Sequence, residues 1–114
     1  MKREFLDYVE DVIKSITMIE EFVSGLSYEN FKKDEKTAYA VVRALEIIGE
    51  SVKNMPVAIR QHYPEIQWKE MSAMRDKLIH AYFGVDLSVV WKTIKEELPP
   101  LKPLFEKIKR DCQK

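Results

Sequence analysis

The sequence predicts an all-α protein, an antiparallel bundle of four to five helices joined by short connections. Apolar residues recur at steps of three and four along nearly the whole chain, which places them on one face of each helix. Only three glycines and five prolines are present, too few for an all-β protein with many tight turns. With 114 residues and no linker-like or low-complexity segment, we expect a single domain spanning residues 1–114.

Two long helices are predicted in the first half of the chain. The first is expected to end near Gly25, and its apolar residues are Phe5, Val9, Val12, Ile13, Ile16, Ile19, Phe22 and Val23. Residues 27–33 are interpreted as a connector. Asp34 can cap the second helix by accepting hydrogen bonds from its free N–H groups. Its inner residues are Ala38, Val41, Val42, Leu45, Ile48 and Val52. Pro56 breaks this helix or starts a short one to about Tyr63.

The second half predicts three further segments. After a connector at residues 64–67, a third main helix runs from about Trp68 to Phe83, with a core stripe of Met71, Met74, Leu78 and Ala81. Asp86 can cap the next helix, at about Leu87 to Leu98. Pro99 and Pro100 are expected to end it. A last amphipathic helix carries Leu101, Leu104, Phe105 and Ile108.

Composition excludes several classes of protein. The 19 basic and 19 acidic residues cancel, which argues against a domain that coats nucleic acid or a membrane by charge alone, although a local basic site is still allowed. No apolar run is long enough to span a bilayer, and the N-terminus does not resemble a signal peptide. Cys112 is the single cysteine, so no intrachain disulfide can form, which fits a cytoplasmic protein.

Familiar catalytic and cofactor motifs are missing from the sequence. There is no glycine-rich phosphate loop, dinucleotide fingerprint or nucleophile elbow. His62 and His80 are on different elements without obvious ligand partners, so we expect no metal site and no cofactor. His62 and Tyr63 are expected on the surface of a loop. Trp68 and Trp91 are expected to pack in the core or an interface.

The stretch from Met71 to Gly84 concentrates residues that carry chemistry. Arg75, Asp76, His80 and Tyr82 lie beside the core stripe of one predicted helix. Histidine titrates near neutrality and can act as acid or base, and the planar guanidinium of arginine suits phosphate oxygens. By spacing alone, the alternative that these are ordinary surface residues stays open.

The surrounding sequence resembles the HepT-type toxins of the HEPN superfamily. Arg75-x4-His80-x-Tyr82 is similar to their Arg-x4-His-x-Tyr motif, and the stretch Ala40 to Glu50 is similar to their second helix. The stretches Trp68-Lys-Glu-Met and Tyr82-Phe-Gly-Val-Asp86, with Trp91, also resemble the family, and similarity extends from about residue 7 to residue 104. One departure is Asp76, where the family often has Asn.

The resemblance implies a HEPN-like, dimeric helical bundle and a metal-independent endoribonuclease that acts as the toxin of a toxin–antitoxin pair. Arg75 and His80 would be the catalytic residues. Asp76, one turn before His80, would support it by orienting the imidazole and favouring its protonated form. The implied partners are RNA, a second copy of the chain and a cognate minimal nucleotidyltransferase antitoxin, which would silence the toxin by attaching AMP to Tyr82.

Helix geometry shows that one straight helix does not bring the motif side chains together, a need that the dimer implied by the resemblance would meet. Arg75 and His80 are five residues apart and therefore lie about 140° apart around a straight helix. A distorted helix end near Gly84 or a second copy of the chain is needed to bring such groups together. In a two-fold dimer, two Arg75 and two His80 side chains would share one groove, and Ile79 would belong to the interface.

Two other functions remain open from the sequence. The first is a binding module, a HEPN dimer that docks a nucleotidyltransferase or a nucleotide and cleaves nothing; zero net charge and Asp76 favour it. The second is a structural helical adaptor, which leaves the Arg75, His80 and Tyr82 set without a purpose. Glu46 and Glu50 are expected to form ion pairs with Arg43, Lys53 or Arg75.

Overall fold

A computed structural model describes residues 4–79 and 86–113 of the chain. Within these ranges the structure is helical and contains no strand, which confirms the all-α prediction. A π-helical turn, Thr93–Glu97, joins the last two helices without a break. The α-helices are α1 (Phe5–Val23), α2 (Tyr28–Lys33), α3 (Glu35–Lys53), α4 (Val57–His62), α5 (Trp68–Ile79), α6 (Leu87–Lys92) and α7 (Leu98–Cys112).

Helix α3 is the centre of the bundle. It packs against α1 and against α5, while α7 packs against α1 and the short α2 lies against α3 and α6. The apolar stripes predicted from the sequence supply most of the core, and Phe31 from outside them is also fully buried. The largest fully buried side chains are Phe31, Phe105, Ile16, Ile19, Leu45, Ile48 and Ile108. None of the described helices is long and apolar enough to cross a bilayer.

The predicted helix caps are present. Asp34 Oδ1 accepts a hydrogen bond from the Thr37 N–H at 3.1 Å, and Asp86 Oδ1 accepts one from the Ser88 N–H at 2.9 Å. Hydrogen bonds from the Thr37 and Ser88 side chains and backbone lower the pKa of these two carboxyl groups. Gly25 follows the end of α1 with a φ of 76°, a left-handed conformation that favours glycine.

The interpretation of residues 27–33 as a connector is wrong. Residues Tyr28–Lys33 form α2, and the Ser27 side chain caps it by accepting a hydrogen bond from the Asn30 N–H at 3.1 Å. Phe31 is fully buried and packs against Trp91, with 5.0 Å between the ring centroids and 37° between the ring planes. Burial of this one aromatic ring therefore stabilises a helix too short to form by itself.

The expected break at Pro99 and Pro100 is also wrong, because the helical path continues from α6 through the π-helical turn into α7. Both prolines fall in the first turn of α7, where their missing N–H groups cost little. The π-helical turn Thr93–Glu97 directly before them shifts the hydrogen-bond register of the helix. Residues 87–112 consequently form one continuous helical segment instead of two helices.

The prediction that Tyr63 lies on the surface of a loop is wrong. Its side chain is only 3% exposed, and its backbone oxygen accepts a hydrogen bond from Trp68 Nε1 at 3.0 Å. The neighbouring His62 is exposed at the end of α4, as expected. The connector from α4 to α5 is thus anchored in the core by Tyr63, Ile66 and Trp68.

Candidate functional site

Helix α5 carries the first half of the predicted motif. Arg75 and Asp76 lie in the second half of this helix, and the Asp76 side chain is exposed. The Arg75 side chain, His80 and Tyr82 lie outside what the structure describes, as does the predicted continuation of the helix to Phe83. The roles assigned to these residues, and their meeting at one site, therefore stay predictions.

The N-terminal half of α5 is firmly packed. Trp68 is 9% exposed, and its ring meets the ring of Phe105 edge-on with 5.6 Å between the centroids. Met71 is buried one turn later, and Met74 and Leu78 pack against the core while partly exposed. These contacts confirm the predicted core stripe over the described helix and fix the register in which Arg75 and Asp76 are presented.

Asp86 is the first described residue after the motif, and it fixes the start of α6. Its carboxylate accepts hydrogen bonds from the Ser88 and Val89 N–H groups. Trp91 packs one turn further on, with its ring centroid 6.1 Å from that of Tyr28. The packing expected of Trp68 and Trp91 is confirmed, and both elements that flank residues 80–85 are well anchored.

A shallow groove of about 630 Å³ lies beside the first two turns of α5, and we call it the basic groove. Three cationic residues from three helices line it: Lys53 at the end of α3, Arg60 on α4 and Lys69 on α5. The other lining residues are Val57, Gln61, Trp68 and Ser72. Acidic side chains are not among these residues, so the groove is suited to bind an anion.

Arg60 carries a polar atom that the fold leaves unsatisfied. Its Nε is buried and has no hydrogen-bond partner among the described residues. A buried donor without a partner is rare in native proteins and costs about 1–3 kcal/mol. Because Nε is inaccessible, a ligand in the groove can meet only the Nη end of the guanidinium group.

A second groove, of about 220 Å³, lies on the opposite side of α5 and is acidic. Its charged lining residues are Glu65, Glu70, Glu96 and Glu97, and apolar residues such as Met71 and Leu101 also line it. Lys69 and Glu70 are neighbours in sequence but about 100° apart around the helix, so each reaches a different groove. The two grooves therefore separate positive from negative charge locally, on different sides of α5.

Sequence reasoning missed the basic groove. Lys53, Arg60 and Lys69 are separated by seven and nine residues and fall on three different helices, so no local spacing relates them. Of the expected carboxylate contacts, Glu46 pairs with Arg43 at 3.7 Å. Glu50 Oε1 accepts a hydrogen bond from the Asn54 amide at 3.3 Å.

Metal ligands are not clustered within the described ranges, where no three His, Cys, Asp or Glu side chains are placed to hold an ion. The expectation of chemistry without a metal or cofactor, argued from the two histidines and from the resemblance, stays a prediction. The described part of the site supplies cations, from Lys53, Arg60 and Lys69, and an exposed carboxylate, from Asp76.

Comparisons with known proteins agree with the resemblance. A family model described as "Ribonuclease HepT-like" matches residues 12–108. A Thermococcus cleftensis protein named "Probable ribonuclease HepT" is 56% identical over 110 residues, which covers 96% of this chain and 100% of that protein. Two Methanocaldococcus jannaschii proteins, each named as a putative RNase, are 46% identical over 112 residues, covering 98% of this chain and 93% and 97% of theirs. No solved structure matches the chain significantly. The chain belongs to the HepT-like ribonuclease family.

Proposed function

We propose that this protein is a metal-independent endoribonuclease that acts as the toxin of a toxin–antitoxin pair. One observation carries the proposal: the Arg75-x4-His80-x-Tyr82 motif begins on α5 of a chain that matches HepT-like ribonucleases over nearly its whole length. We assign the catalytic roles to Arg75 and His80, with Asp76 in support. The pair would act in the cytoplasm.

The chemistry needs few groups. Cleavage begins when a base takes the proton of a 2′-hydroxyl, whose oxygen then bonds to the adjacent phosphorus. The bond from phosphorus to the 5′-oxygen breaks, and an acid returns a proton to that oxygen. His80 is suited to acid or base catalysis near neutral pH. Arg75, permanently charged, would stabilise the negative charge that builds up on the phosphorane.

A homodimer would complete the site. Acid and base have to act on opposite sides of the phosphorus atom, and one chain offers a single motif histidine. Two chains related by a two-fold axis would place two Arg75 and two His80 side chains in one groove. The proposed interface includes Ile79 and His80, and sedimentation at micromolar concentration should show a dimer. A monomer under those conditions would contradict the composite site.

Control of the toxin would come from a minimal nucleotidyltransferase. Transfer of AMP from ATP to the Tyr82 hydroxyl forms a phosphodiester bond and releases pyrophosphate. The added phosphate carries a negative charge beside the groove of the proposed dimer, where RNA phosphates would bind. The AMP group would therefore repel the RNA and occupy the space that the RNA needs. Tyr82 is therefore assigned as the modification site and not as a catalytic residue.

The test is cleavage of total RNA by purified protein in EDTA. His80→Ala and Arg75→Ala should each lower the rate by about 10²–10⁴-fold, because each removes a positioned catalytic group. His62→Ala is the matched control, since His62 is exposed on α4 and outside the motif. Products should end in 2′,3′-cyclic phosphate and 5′-hydroxyl, and all variants should keep the helical circular dichroism of the wild type.

The competing function has a distinct outcome. If the wild-type protein leaves RNA intact but binds a nucleotidyltransferase or a nucleotide, it is a binding module and the ribonuclease proposal fails. If His80→Ala cleaves at the wild-type rate, the activity belongs to another site or to a contaminant, and the assignment of His80 is wrong.

A further inference from the structure

We propose that the basic groove binds the phosphate backbone of single-stranded RNA next to the cleavage site, an inference that rests on the proposed ribonuclease function. The groove gathers Lys53, Arg60 and Lys69 from three helices around a concave surface. It is separate from the predicted catalytic residues Arg75 and His80, although Lys69 lies on the same helix as Arg75. Its role would be substrate binding and not bond cleavage.

Charge favours a polyanion as the occupant. The chain as a whole is neutral, with 19 basic and 19 acidic residues, yet the described residues that line this groove include three cations and no acid. Lys53 and Lys69 are exposed, so both can reach a phosphate without rearrangement of the fold. The half-buried Arg60 is held more rigidly, which suits its guanidinium fork to a phosphate oxygen pair.

Position connects the groove to the motif. Trp68 and Ser72 line the groove, and the Cα of Arg75 lies nearly in line with that of Trp68, two helical turns further along α5. The step from Ser72 to Arg75 is about 4.5 Å along the helix axis. An RNA strand that continues from the groove along α5 therefore comes level with Arg75 within one helical turn.

Size and lining define the kind of RNA. A volume of about 630 Å³ is within the range of roughly 300–1,000 Å³ typical of small-molecule sites, so the groove has room for a short stretch of single-stranded RNA. Trp68 is almost fully buried, so no exposed aromatic face is available for base stacking among the described residues that line the groove. Binding through phosphates alone carries no base information, so the groove would tolerate any sequence.

The test measures binding separately from cleavage. The probe is a single-stranded 2′-O-methyl oligonucleotide, which cannot be cut through a 2′-hydroxyl, and its affinity is followed by fluorescence anisotropy over a range of salt concentrations. The groove variant combines Lys53→Gln, Arg60→Gln and Lys69→Gln. The matched control makes the same charge change outside the groove, with the exposed residues Lys14, Lys33 and Lys107 each changed to Gln.

The expected effect follows from counterion release. Each phosphate contact contributes about 0.7 to the slope of log K against log salt for a single strand, so losing three contacts should lower the slope by about 2. At about 0.1 M salt the affinity should fall roughly 10- to 100-fold. The control should bind as the wild type does, and polyuridine and polyadenosine versions of the probe should bind alike.

The outcomes that contradict RNA binding by the basic groove differ from those that contradict the ribonuclease proposal. If the groove and control variants lose RNA affinity equally, or if neither loses any, the proposal that the basic groove binds RNA is contradicted. A groove variant that keeps RNA affinity but loses a protein partner makes the groove a protein-docking surface instead. If Arg60→Gln unfolds the chain, a second variant replaces it. This variant combines Lys53→Gln and Lys69→Gln with Arg60→Lys, which keeps the charge at position 60. Absence of cleavage by the wild type, with groove-dependent binding intact, rejects only the ribonuclease proposal.

Discussion

The hydroxyl of Tyr63 donates a hydrogen bond to Asp111 Oδ2 at 2.8 Å and joins residues that are 48 positions apart in the sequence. Tyr63 lies just before α5, and Asp111 lies in the last turn of α7. The tyrosine ring is 3% exposed, while Asp111 remains in contact with solvent. This bond therefore ties the C-terminal end of α7 to the connector that positions α5.

Tyr63→Phe should lower the free energy of unfolding by about 1 to 2 kcal/mol, because the phenyl ring keeps its packing but loses a hydrogen bond to a charged group. Asp111 can regain water, which limits the loss. Urea unfolding followed by circular dichroism measures the difference. Tyr39→Phe is the control, since Tyr39 is 72% exposed and should change the stability by less than about 0.5 kcal/mol. Equal losses in the two variants would contradict a specific role for the Tyr63 hydroxyl.

Alkaline pH should weaken the same interaction. Burial, together with the hydrogen bond to Asp111, raises the pKa of Tyr63 to about 12 from an ordinary value of 10.0. Folding thus favours the neutral phenol, so its contribution to stability is complete below pH 10 and is lost as the pH rises from 10 to about 12. The stability advantage of the wild type over Tyr63→Phe should shrink across that window. An advantage that stays constant would contradict the assignment.

Asp76→Asn should separate the binding of RNA from the rate of its cleavage. Removing the carboxylate takes away repulsion of the substrate phosphates, so KM should fall about twofold or more. The rate constant kcat should fall about twofold, because the support of a charged residue one turn before His80 is worth about 0.2–0.5 kcal/mol. Steady-state kinetics give both constants.

Glu70→Gln is the matched control for Asp76→Asn. Glu70 is also exposed on α5, but it lines the acidic groove on the other side of the helix. Its replacement should leave both constants unchanged. If the two variants behaved alike, the effect of Asp76 would reflect net charge and not its place beside the motif.

Tyr82→Phe should keep the fold and most of the ribonuclease activity while escaping silencing. Phenylalanine retains the ring but has no hydroxyl to accept AMP, and a phenol with an ordinary pKa near 10 is a poor base for the cleavage step. Intact mass after incubation with the cognate nucleotidyltransferase and ATP should show AMP on the wild type alone. Equal modification of both proteins, or of neither, would remove Tyr82 from this role.

Local hydrogen bonding made much of the fold predictable. Asp34 and Asp86 cap α3 and α6 through bonds to residues two or three positions away, which a reading of neighbouring residues can anticipate. The apolar stripes predicted the core for the same reason, because the helical period is a local property. The motif that begins with Arg75 on α5 is likewise recognisable from local spacing in the sequence.

Features that depend on distant contacts were not predictable. The six-residue α2 needs the burial of Phe31 against Trp91, and the position of Tyr63 depends on Asp111. The unbroken helical segment through Pro99 contains a π-helical turn, and no residue type within that turn predicts it. The basic groove is not predictable from the sequence, because its three cations come together only in the folded chain.

The separation of charge beside α5 is a local electric dipole in a chain whose net charge is zero. Lys53, Arg60 and Lys69 form its positive end, and the four glutamates of the acidic groove form its negative end. A polyanion close to this surface is attracted to the basic groove even though the net charge of the chain is zero, which aligns the two molecules for contact there. Because the Debye length is about 10 Å at 0.1 M salt, this alignment acts only in the last moments of approach.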